Sequence, residues 1–256
     1  MYQYIYDSFL TDSKYSKTLA IIENRLADLG LSGRIDRLSL FKDARDFVRE
    51  GVKKGVKTIV IVGNDFTLSQ VIGAADEVDI TFGVIPVGSK NEIARILGIE
   101  DEMSACDCLS NRLVKKIDLG KINSTYFISK IEAPPAEITL KCEGKFLVNS
   151  KKIQRVEIYN LPISGEKSDP QDGYLDVHLK PGRESFLRSA ANVNVGFLTR
   201  NSEQNQESVL PIKKMFLESK NDLTILVDGA KNINAPAEIQ VLPERLKIIV
   251  GKNRLF

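Results

Sequence analysis

The sequence is poor in the residues that build disulfide frameworks and most metal sites, with three cysteines and one histidine among 256 residues. Cys106, Cys108 and Cys142 are odd in number, and their spacing fits neither a set of disulfides nor a zinc site. We therefore expect a reducing, cytoplasmic setting, with Cys106 and Cys108 buried as small apolar side chains of a helix. His178 alternates with apolar neighbours, which favours a strand-surface imidazole over a catalytic one.

The chain also lacks a strong net charge and a long apolar run. Its formal net charge is +2, so the protein as a whole has no electrostatic attraction to nucleic acid or to anionic membranes. No run approaches the roughly 20 apolar residues that a membrane-spanning helix needs. Residues 2–6 read as a strand and do not have the pattern of a signal peptide. A hydrophobic fraction of 43% indicates an ordinary globular protein.

Residues 1 to about 115 alternate between strand-like and helix-like patterns. Strands are predicted at 2–6, 35–40, 58–62 and 82–87, and helices at 19–29, 44–52, 68–75, 91–97 and 102–113. The run at 58–62 is continuously apolar, as a central parallel strand would be. Successive strand–helix units of this kind predict a parallel, doubly wound α/β sheet.

The pattern changes after residue 116, where strands dominate. They are predicted at 117–119, 126–131, 137–142, 155–159, 174–179, 213–218, 223–227, 238–241 and 246–250. A short helix at 184–191 and a polar loop at 201–207 are the exceptions. We therefore predict an α/β domain over residues 1–121 and an antiparallel β-sandwich over 122–256. The last strand, 246–250, could return to the first domain.

Two turns that follow predicted strands carry small polar residues. Gly63–Thr67 (Gly-Asn-Asp-Phe-Thr) follows one strand, and Pro86–Glu92 (Pro-Val-Gly-Ser-Lys-Asn-Glu) follows the next. In open α/β sheets, ligands bind beyond the carboxyl ends of the strands and against helix N-termini. These two turns therefore predict a site for a phosphorylated ligand at one edge of the sheet.

The order of these and later segments resembles the diacylglycerol kinase, sphingosine kinase and bacterial lipid kinase family. Gly63–Thr67 corresponds to the family's Gly-Gly-Asp-Gly-Thr, and Pro86–Glu92 to its Pro-Leu-Gly-Thr-Gly-Asn-Asp. Ile117–Gly120, Asp172–Asp176 and Asp228–Ala230 follow in the family's order. The resemblance implies the two-domain fold of NAD kinases and diacylglycerol kinases, with a parallel doubly wound sheet domain followed by an antiparallel β-sandwich. It also implies ATP-dependent phosphoryl transfer to the hydroxyl of a diacylglycerol-like lipid.

The resemblance also implies a role for individual residues. Asp65 corresponds to the acidic residue of the nucleotide and metal centre, and Asp228 to the proposed general base. Asp172, with Asp169 nearby, corresponds to a metal-holding position in the second domain. ATP and Mg²⁺ are the implied cofactors. The implied nucleotide-binding residues are Gly63, Asn64, Thr67, Gly88, Ser89, Lys90 and Asn91.

Several positions depart from the family's pattern. Asn64, Phe66 and Lys90 stand where relatives have glycine, and Ala230 stands where they have a carboxylate. Glycine at such turns lets the backbone approach a phosphate closely, so its loss favours a second hypothesis. In that hypothesis the chain is a non-catalytic relative that binds a ligand or partner. A third hypothesis, an NAD kinase, ranks lower because no second dinucleotide-binding motif is evident.

Each candidate residue also has a purely structural interpretation. Asp65 and Ser89 could be helix N-caps. Asp172-Gly173 and Asp228-Gly229 have the composition of hairpin turns. An exposed edge of the sandwich could pair two subunits as a homodimer, and a lipid at a membrane surface is the expected partner besides the nucleotide.

Overall fold

The computed structural model of the protein describes residues 1–39, 43–75, 79–143, 146–149, 154–181 and 208–256. The predicted helix at 184–191 and polar loop at 201–207 lie outside the described residues. The first part of the chain contains β1 (Tyr2–Tyr6), α1 (Ser16–Asp28), β2 (Gly33–Arg37), α2 (Ala44–Lys53), β3 (Thr58–Gly63), α3 (Asp65–Gly73), β4 (Thr81–Pro86), α4 (Glu92–Ile96) and α5 (Glu102–Asn111). Each element predicted there is confirmed, with ends that differ by a few residues.

The strands of this part form a parallel sheet in the order β2–β1–β3–β4. Every residue of β3 is buried, as its continuous apolar run predicts for a central strand. The helices cover the sheet through apolar faces; α1, for example, buries Leu19, Ile22 and Leu26 at helical spacing. Because the strands are parallel, β3 and β4 end at the same edge, and the turns that follow them become neighbours.

The second part of the chain is built from strands. They are β5 (Val114–Ile122), β6 (Thr125–Phe127), β7 (Lys130–Ala136), β8 (Ile138–Cys142), β9 (Phe146–Asn149), β10 (Gln154–Tyr159), β11 (Leu175–Pro181), β12 (Ser208–Ile212), β13 (Lys214–Ser219), β14 (Thr224–Val227), β15 (Lys231–Asn234) and β16 (Ala237–Ile249). The predicted strand at 126–131 is in fact two strands, because the chain turns at residues 128 and 129. The strands β9, β12 and β15 were not predicted from the sequence.

Two sheets pack face to face in this part. One is antiparallel, in the order β12–β11–β10–β7–β14–β15. The other is the continuation of the first sheet through β16, β13, β8 and β9; β5 also pairs with β16, and β6 pairs with β5. Apolar side chains from both sheets, including Val156, Ile158, Met215 and Ile239, form the core between them. The predicted combination of a parallel α/β sheet and an antiparallel β-sandwich is therefore confirmed.

β16 connects the two parts of the molecule. The sequence predicts strands at 238–241 and 246–250, but they form one strand with a register shift between Leu242 and Leu246. Glu244, inside that shift, has a φ of 50°, as the irregular residue of a bulge can have. Beyond it, Lys247 and Ile248 pair in parallel with β4. The domain boundary at residues 121 and 122 stays a prediction; those two residues both lie within β5.

Candidate active site

A cleft of about 410 Å³ opens between the carboxyl ends of β3 and β4 on one side and the antiparallel sheet on the other. Ten of its fourteen lining residues have polar or charged side chains, so the cleft can accept a ligand that carries polar groups. The first wall consists of Asn64, Asp65, Phe66, Lys90, Asn91, Glu92, Ile93 and Arg95. The second wall consists of Ser129, Lys130, Glu132, Ile163, Asp228 and Gly229.

Asn64 caps the helix that follows β3. Its side-chain oxygen accepts hydrogen bonds from the backbone amides of Phe66 at 3.0 Å and Thr67 at 3.2 Å. In return, the Thr67 hydroxyl oxygen accepts one from the Asn64 amide at 3.2 Å. This reciprocal pair is a capping box, which satisfies amides that a helix N-terminus otherwise leaves free. Asn64, rather than Asp65, is therefore the N-cap of α3.

The side chain of Thr67 lies in the protein interior. Its hydroxyl is fully buried and donates a hydrogen bond to the Asp7 carboxylate at 2.5 Å. Gly63 lies directly beneath it, and a Cβ at Gly63 would collide with the Thr67 side chain. Neither Gly63 nor Thr67 lines the cleft. Their contribution in this structure is to fix the turn that carries Asn64 and Asp65.

Asp65 reaches across to the next turn and caps α4. Its two carboxylate oxygens accept hydrogen bonds from the backbone amides of Glu92 at 2.7 Å and Ile93 at 3.1 Å. Its own amide donates to the carbonyl oxygen of Lys90 at 3.0 Å. Burial raises the pKa of Asp65 to about 6, and the two backbone hydrogen bonds only partly oppose that effect. Asp65 therefore joins the two turns while its carboxylate lines the cleft.

The second turn is held in a tight conformation by its own residues. The side-chain amide of Asn91 donates to the carbonyl oxygen of Gly88 at 2.9 Å, as expected for a residue that fixes this turn. A Cβ at Gly88 would lie 3.3 Å from the ring of Phe9. Lys90 has a φ of 64°, a left-handed conformation that costs a non-glycine residue about 1 kcal/mol. Ser89 is exposed, lies outside the cleft lining and does not cap α4.

Asp228 holds the turn between β6 and β7. Its carboxylate accepts hydrogen bonds from the backbone amides of Ile128, Ser129 and Lys130 at 2.9, 2.9 and 3.1 Å, and from the Ser129 hydroxyl at 2.6 Å. Asp228 and Gly229 both have positive φ, as the hairpin turn between β14 and β15 requires. The hairpin interpretation is therefore confirmed at Asp228, and the same side chain lines the cleft.

The second wall carries charges that the sequence did not single out. The Nζ of Lys130 lies 3.3 Å from a carboxylate oxygen of Glu132, and Arg155 contacts the same glutamate at 2.8 Å. Fully buried Asn160 fixes the backbone behind this wall, since its amide donates to the carbonyl oxygens of Asp118 and Ile128 at 3.0 and 2.7 Å. These contacts hold the second wall in a fixed position opposite Asp65.

A second group of acidic residues lies outside the cleft lining. The buried carboxylate of Asp118 accepts hydrogen bonds from the amides of Gly173 at 2.7 Å and Glu244 at 2.8 Å. Burial raises the pKa of Asp118, and burial is also the main cause of the raised pKa of Asp172. Asp172 and Asp169 each accept a hydrogen bond from the backbone two residues later. In the parts of the chain that the structure describes, no three acidic, histidine or cysteine side chains gather as a metal-binding group.

The histidine and cysteines lie away from the cleft. His178 is on strand β11, as predicted, but it is buried rather than on the surface. Its ring packs edge-on against Tyr159, and its Nδ1 lies 3.6 Å from Glu166. Cys106 is buried on α5, as predicted, whereas Cys108 beside it is only partly buried. Cys142, on β8, is also buried.

The structure therefore brings together only some of the predicted site residues. Those that line the cleft are Asn64, Asp65, Lys90, Asn91 and Asp228, whereas Gly63, Thr67, Gly88, Ser89, Asp169 and Asp172 do not. The Asp172-Gly173 turn is not a two-residue hairpin, because it ends a long connection between β10 and β11. The lining residues that sequence reasoning missed as site residues are Phe66, Glu92, Ile93, Arg95, Ser129, Lys130, Glu132, Ile163 and Gly229.

The protein has the two-domain fold class of NAD kinases and diacylglycerol kinases. The structure superposes on a diacylglycerol kinase from Bacillus anthracis with a TM-score of 0.79 and 18% identity, covering 99% of this chain and 98% of that one. It also resembles an NAD kinase from Archaeoglobus fulgidus, determined in complex with ATP, with a TM-score of 0.56 and 13% identity over 99% and 95% of the two chains. At these identities the likeness shows the fold.

Sequence comparison identifies the family within that class. The model of the diacylglycerol kinase catalytic domain matches residues 4–122. A diacylglycerol kinase from Bacillus subtilis is 32% identical, and the match covers 94% of this chain and 93% of that protein. The chain therefore belongs to the bacterial diacylglycerol kinase family of lipid kinases, as the ordered motifs predict. In the described part of the chain, no helix has the length and apolar character needed to cross a bilayer.

Proposed function

We propose that this protein is an ATP-dependent lipid kinase that transfers the γ-phosphoryl group of ATP to a lipid hydroxyl, with diacylglycerol-like lipids as the first acceptors to test. The observation that carries the proposal is the position of Asp65. It lies at the carboxyl end of β3, in a cleft that it shares with Asp228, in a chain of a lipid kinase family. Ligands of α/β sheets bind at such strand ends. Family membership favours this reaction over that of an NAD kinase.

The first wall would hold the nucleotide. Asn64, Lys90 and Asn91 present polar groups to the cleft beside Asp65. The residues fit Mg²⁺, because Mg²⁺ prefers carboxylate oxygens and usually binds one or two of them together with substrate phosphates. Asp65 would hold the ion through acceptor sites that its two backbone hydrogen bonds leave open. A Mg²⁺ ion held there would neutralise charge on the transferring phosphoryl group.

The second wall would hold the acceptor. Asp228 is the carboxylate of this wall that could accept the proton of the attacking hydroxyl. Its Oδ1 already accepts three hydrogen bonds and its Oδ2 accepts one, so the proton would pass to Oδ2. The backbone hydrogen bonds keep the carboxylate oriented toward the cleft. The same residue thus positions the wall and serves as the proposed base.

Incubation with Mg-ATP labelled at the γ-phosphate and a panel of dispersed lipids tests this proposal. We expect label to enter a lipid that carries a free hydroxyl, and we expect the Asp65→Asn variant to lose the activity. Thr11→Ala, which changes an exposed hydroxyl outside the cleft lining, is the matched control and should stay active. Absence of labelled lipid from every acceptor with the wild type would refute the catalytic proposal.

A second candidate function rests on the hydrogen bonds that side chains of the cleft already make to the backbone amides at the starts of α3 and α4. The amides of Phe66, Thr67, Glu92 and Ile93 already have side-chain acceptors within the protein. A phosphate loop normally offers such amides to its ligand. This supports a non-catalytic relative that binds a ligand or partner in the same cleft. Such a protein would show no Mg-ATP stabilisation, whereas ATP at about 100 times its Kd should stabilise a binder by about 2.7 kcal/mol.

The remaining features of the proposal concern partners. A lipid acceptor would bring the protein to a membrane surface, and the cysteine usage supports a cytoplasmic setting. The metal role of Asp169 and Asp172 also stays a proposal. The exposed carboxylate of Asp169 supports this role. It is tested by whether Mg²⁺ raises the melting temperature of the wild type but not that of Asp172→Asn. A homodimer paired through a sheet edge is tested by light scattering.

A further inference from the structure

We propose that Lys130 is a phosphate-binding residue of the cleft, an inference that rests on the proposed function and adds a residue to it. The need for such a residue follows from the two turns on the first wall. Asn64 and Asp65 occupy the amides at the starts of α3 and α4, so these amides are not free for an anion. A phosphate in the cleft would therefore depend on cationic side chains or a metal ion more than on these four amides.

Lys130 is fixed in place at the start of β7. Its backbone amide donates to Asp228 at 3.1 Å, and its carbonyl oxygen accepts from the Asp228 amide at 2.9 Å. Its Nζ lies 5.7 Å from the centre of the Tyr159 ring, on the strand directly opposite. The side chain is only 20% exposed, so it would lose little freedom when a ligand binds. This is a preorganised cation rather than a solvated surface lysine.

The charge of Lys130 is only partly neutralised by its neighbours. Glu132, at 3.3 Å, also pairs with Arg155 at the shorter distance of 2.8 Å. Three carboxylates of the cleft accept backbone hydrogen bonds: Asp65 from α4, Asp228 from the 128–130 turn, and Glu92 from the Ser164 amide at 2.6 Å. An ammonium group offers three donors, so Lys130 can contact Glu132 and still bind a phosphate oxygen.

Two further cations line the facing wall, Lys90 and Arg95. A phosphate held between the walls would meet positive charge from both sides. It could belong to the nucleotide donor or to a phosphorylated headgroup of the acceptor, because the recognition chemistry is the same. No sequence motif marks Lys130 for this role, because it enters the cleft only through the pairing of β7 with β10 and β14.

The chain offers a matched control in Lys180. Its Nζ lies 5.8 Å from the centre of the same Tyr159 ring and pairs with Glu157 and Glu166 at 2.8 and 2.9 Å. Its side chain is 29% exposed, similar to Lys130, but it does not line the cleft. Lys130→Met and Lys180→Met thus remove the same charge from the same sheet, and only the first removes it from the cleft.

The experiment measures binding of ATP, ADP and AMP, and separately of glycerol 3-phosphate and glycerol, to the wild type and both variants. We expect Lys130→Met to weaken binding of a phosphate-bearing ligand roughly tenfold or more, Lys130→Arg to restore part of it, and Lys180→Met to change nothing. If Lys130→Met binds ATP and ADP more weakly than the wild type but binds AMP equally well, Lys130 contacts the phosphates of the donor. If it binds glycerol 3-phosphate more weakly but binds glycerol equally well, Lys130 contacts a phosphate of the acceptor.

The remaining outcomes overturn the inference in distinguishable ways. If the wild type binds nucleotide and Lys130→Met binds every ligand equally well, the role of Lys130 is wrong and the proposed function stands. Equal losses in Lys130→Met and Lys180→Met would indicate a general charge effect and would also refute it. If the wild type binds neither nucleotide nor glycerol 3-phosphate, both proposals fail. Melting curves of each variant establish that it is folded.

Discussion

Asp118 and Asp228 both hold backbone segments that are distant in sequence, yet they do so in different surroundings. Asp118 is fully buried, and its carboxylate connects β5 to Gly173 and to the bulge of β16 at Glu244. Asp228 accepts four hydrogen bonds from the turn before β7, but it lines a cleft that faces solvent. Both carboxylates therefore accept backbone hydrogen bonds, but that of Asp118 serves only the fold. The carboxylate of Asp228 remains accessible to a ligand in the cleft.

The largest effect that this comparison predicts is on stability, at Asp118. Asp118→Ala should lower the free energy of unfolding by about 2–4 kcal/mol, because two partly buried backbone amides lose the acceptor that this fully buried carboxylate supplies. Urea denaturation measures the loss. Asp169→Ala is the control in buffer with EDTA, since that exposed carboxylate accepts a hydrogen bond only from nearby Gln171, and it should change stability by about 0.5 kcal/mol or less. If Asp118→Ala lowers the free energy of unfolding by less than about 1 kcal/mol, the Asp118 carboxylate does not hold these backbone segments together.

Asp228→Asn should mainly affect turnover. Asparagine tolerates the positive φ at this position and keeps one side-chain oxygen for the turn, but it cannot take a proton from the acceptor. We expect kcat to fall roughly 100-fold, within the range found for general bases, with a smaller loss of stability. Steady-state kinetics with the lipid acceptor measures the change, and Ser129→Ala serves as the control for the turn. A kcat within about threefold of wild type would exclude the base role.

Asp65 predicts a dependence of stability on pH. Because its folded-state pKa of about 6 lies above the ordinary value of 3.8, folding favours the protonated form. The stability that this preference contributes is present below about pH 4 and is lost as the pH rises through 6. Relative to Asp65→Asn, the wild type should lose about 2 kcal/mol between pH 4 and pH 7.

Denaturation of both proteins at several pH values measures this difference. Parallel pH profiles for the wild type and Asp65→Asn would contradict the raised pKa. Mg-ATP binding should change in the opposite direction, because the metal requires the ionised carboxylate, so affinity should fall below pH 6 in the wild type.

The smallest predicted effect concerns Lys90. Lys90→Gly should raise the free energy of unfolding by up to about 1 kcal/mol, because glycine adopts a φ of 64° without strain. The same change removes a cation from the cleft, so ATP should bind several-fold more weakly. Lys90→Asn is the matched variant, since asparagine also tolerates this conformation but carries no charge. Unchanged ATP affinity in both variants would exclude Lys90 as a phosphate contact.

Local patterns predict the first part of the fold well. The continuous apolar run of β3 and the spacing of Leu19, Ile22 and Leu26 depend only on neighbouring residues, and both are confirmed. The second part is harder, because pairing partners decide which short segments are strands. β9, β12 and β15 are short and lie at or near sheet edges, and β16 continues through a bulge that interrupts its alternation.

The candidate site, like the fold, could be predicted from the sequence only in part. Motif order leads to Asp65 and Asp228, which do share a cleft. It cannot show that Asn64 and Asp65 occupy the amides of two helices, because Asp65 acts on α4, 27 residues later in the chain. Nor can it find Lys130, whose position depends on Asp228, 98 residues away. Residues that act through tertiary contacts therefore require the structure.

Calorimetric titration of ATP into the wild type and Asp65→Asn, with and without Mg²⁺ at pH 7.5, tests the central claim most directly. The account predicts saturable binding to the wild type that Mg²⁺ strengthens, and binding to Asp65→Asn that is roughly tenfold weaker and no longer depends on Mg²⁺. Binding of equal strength to both proteins, or no binding to either, would contradict a nucleotide and metal centre at Asp65.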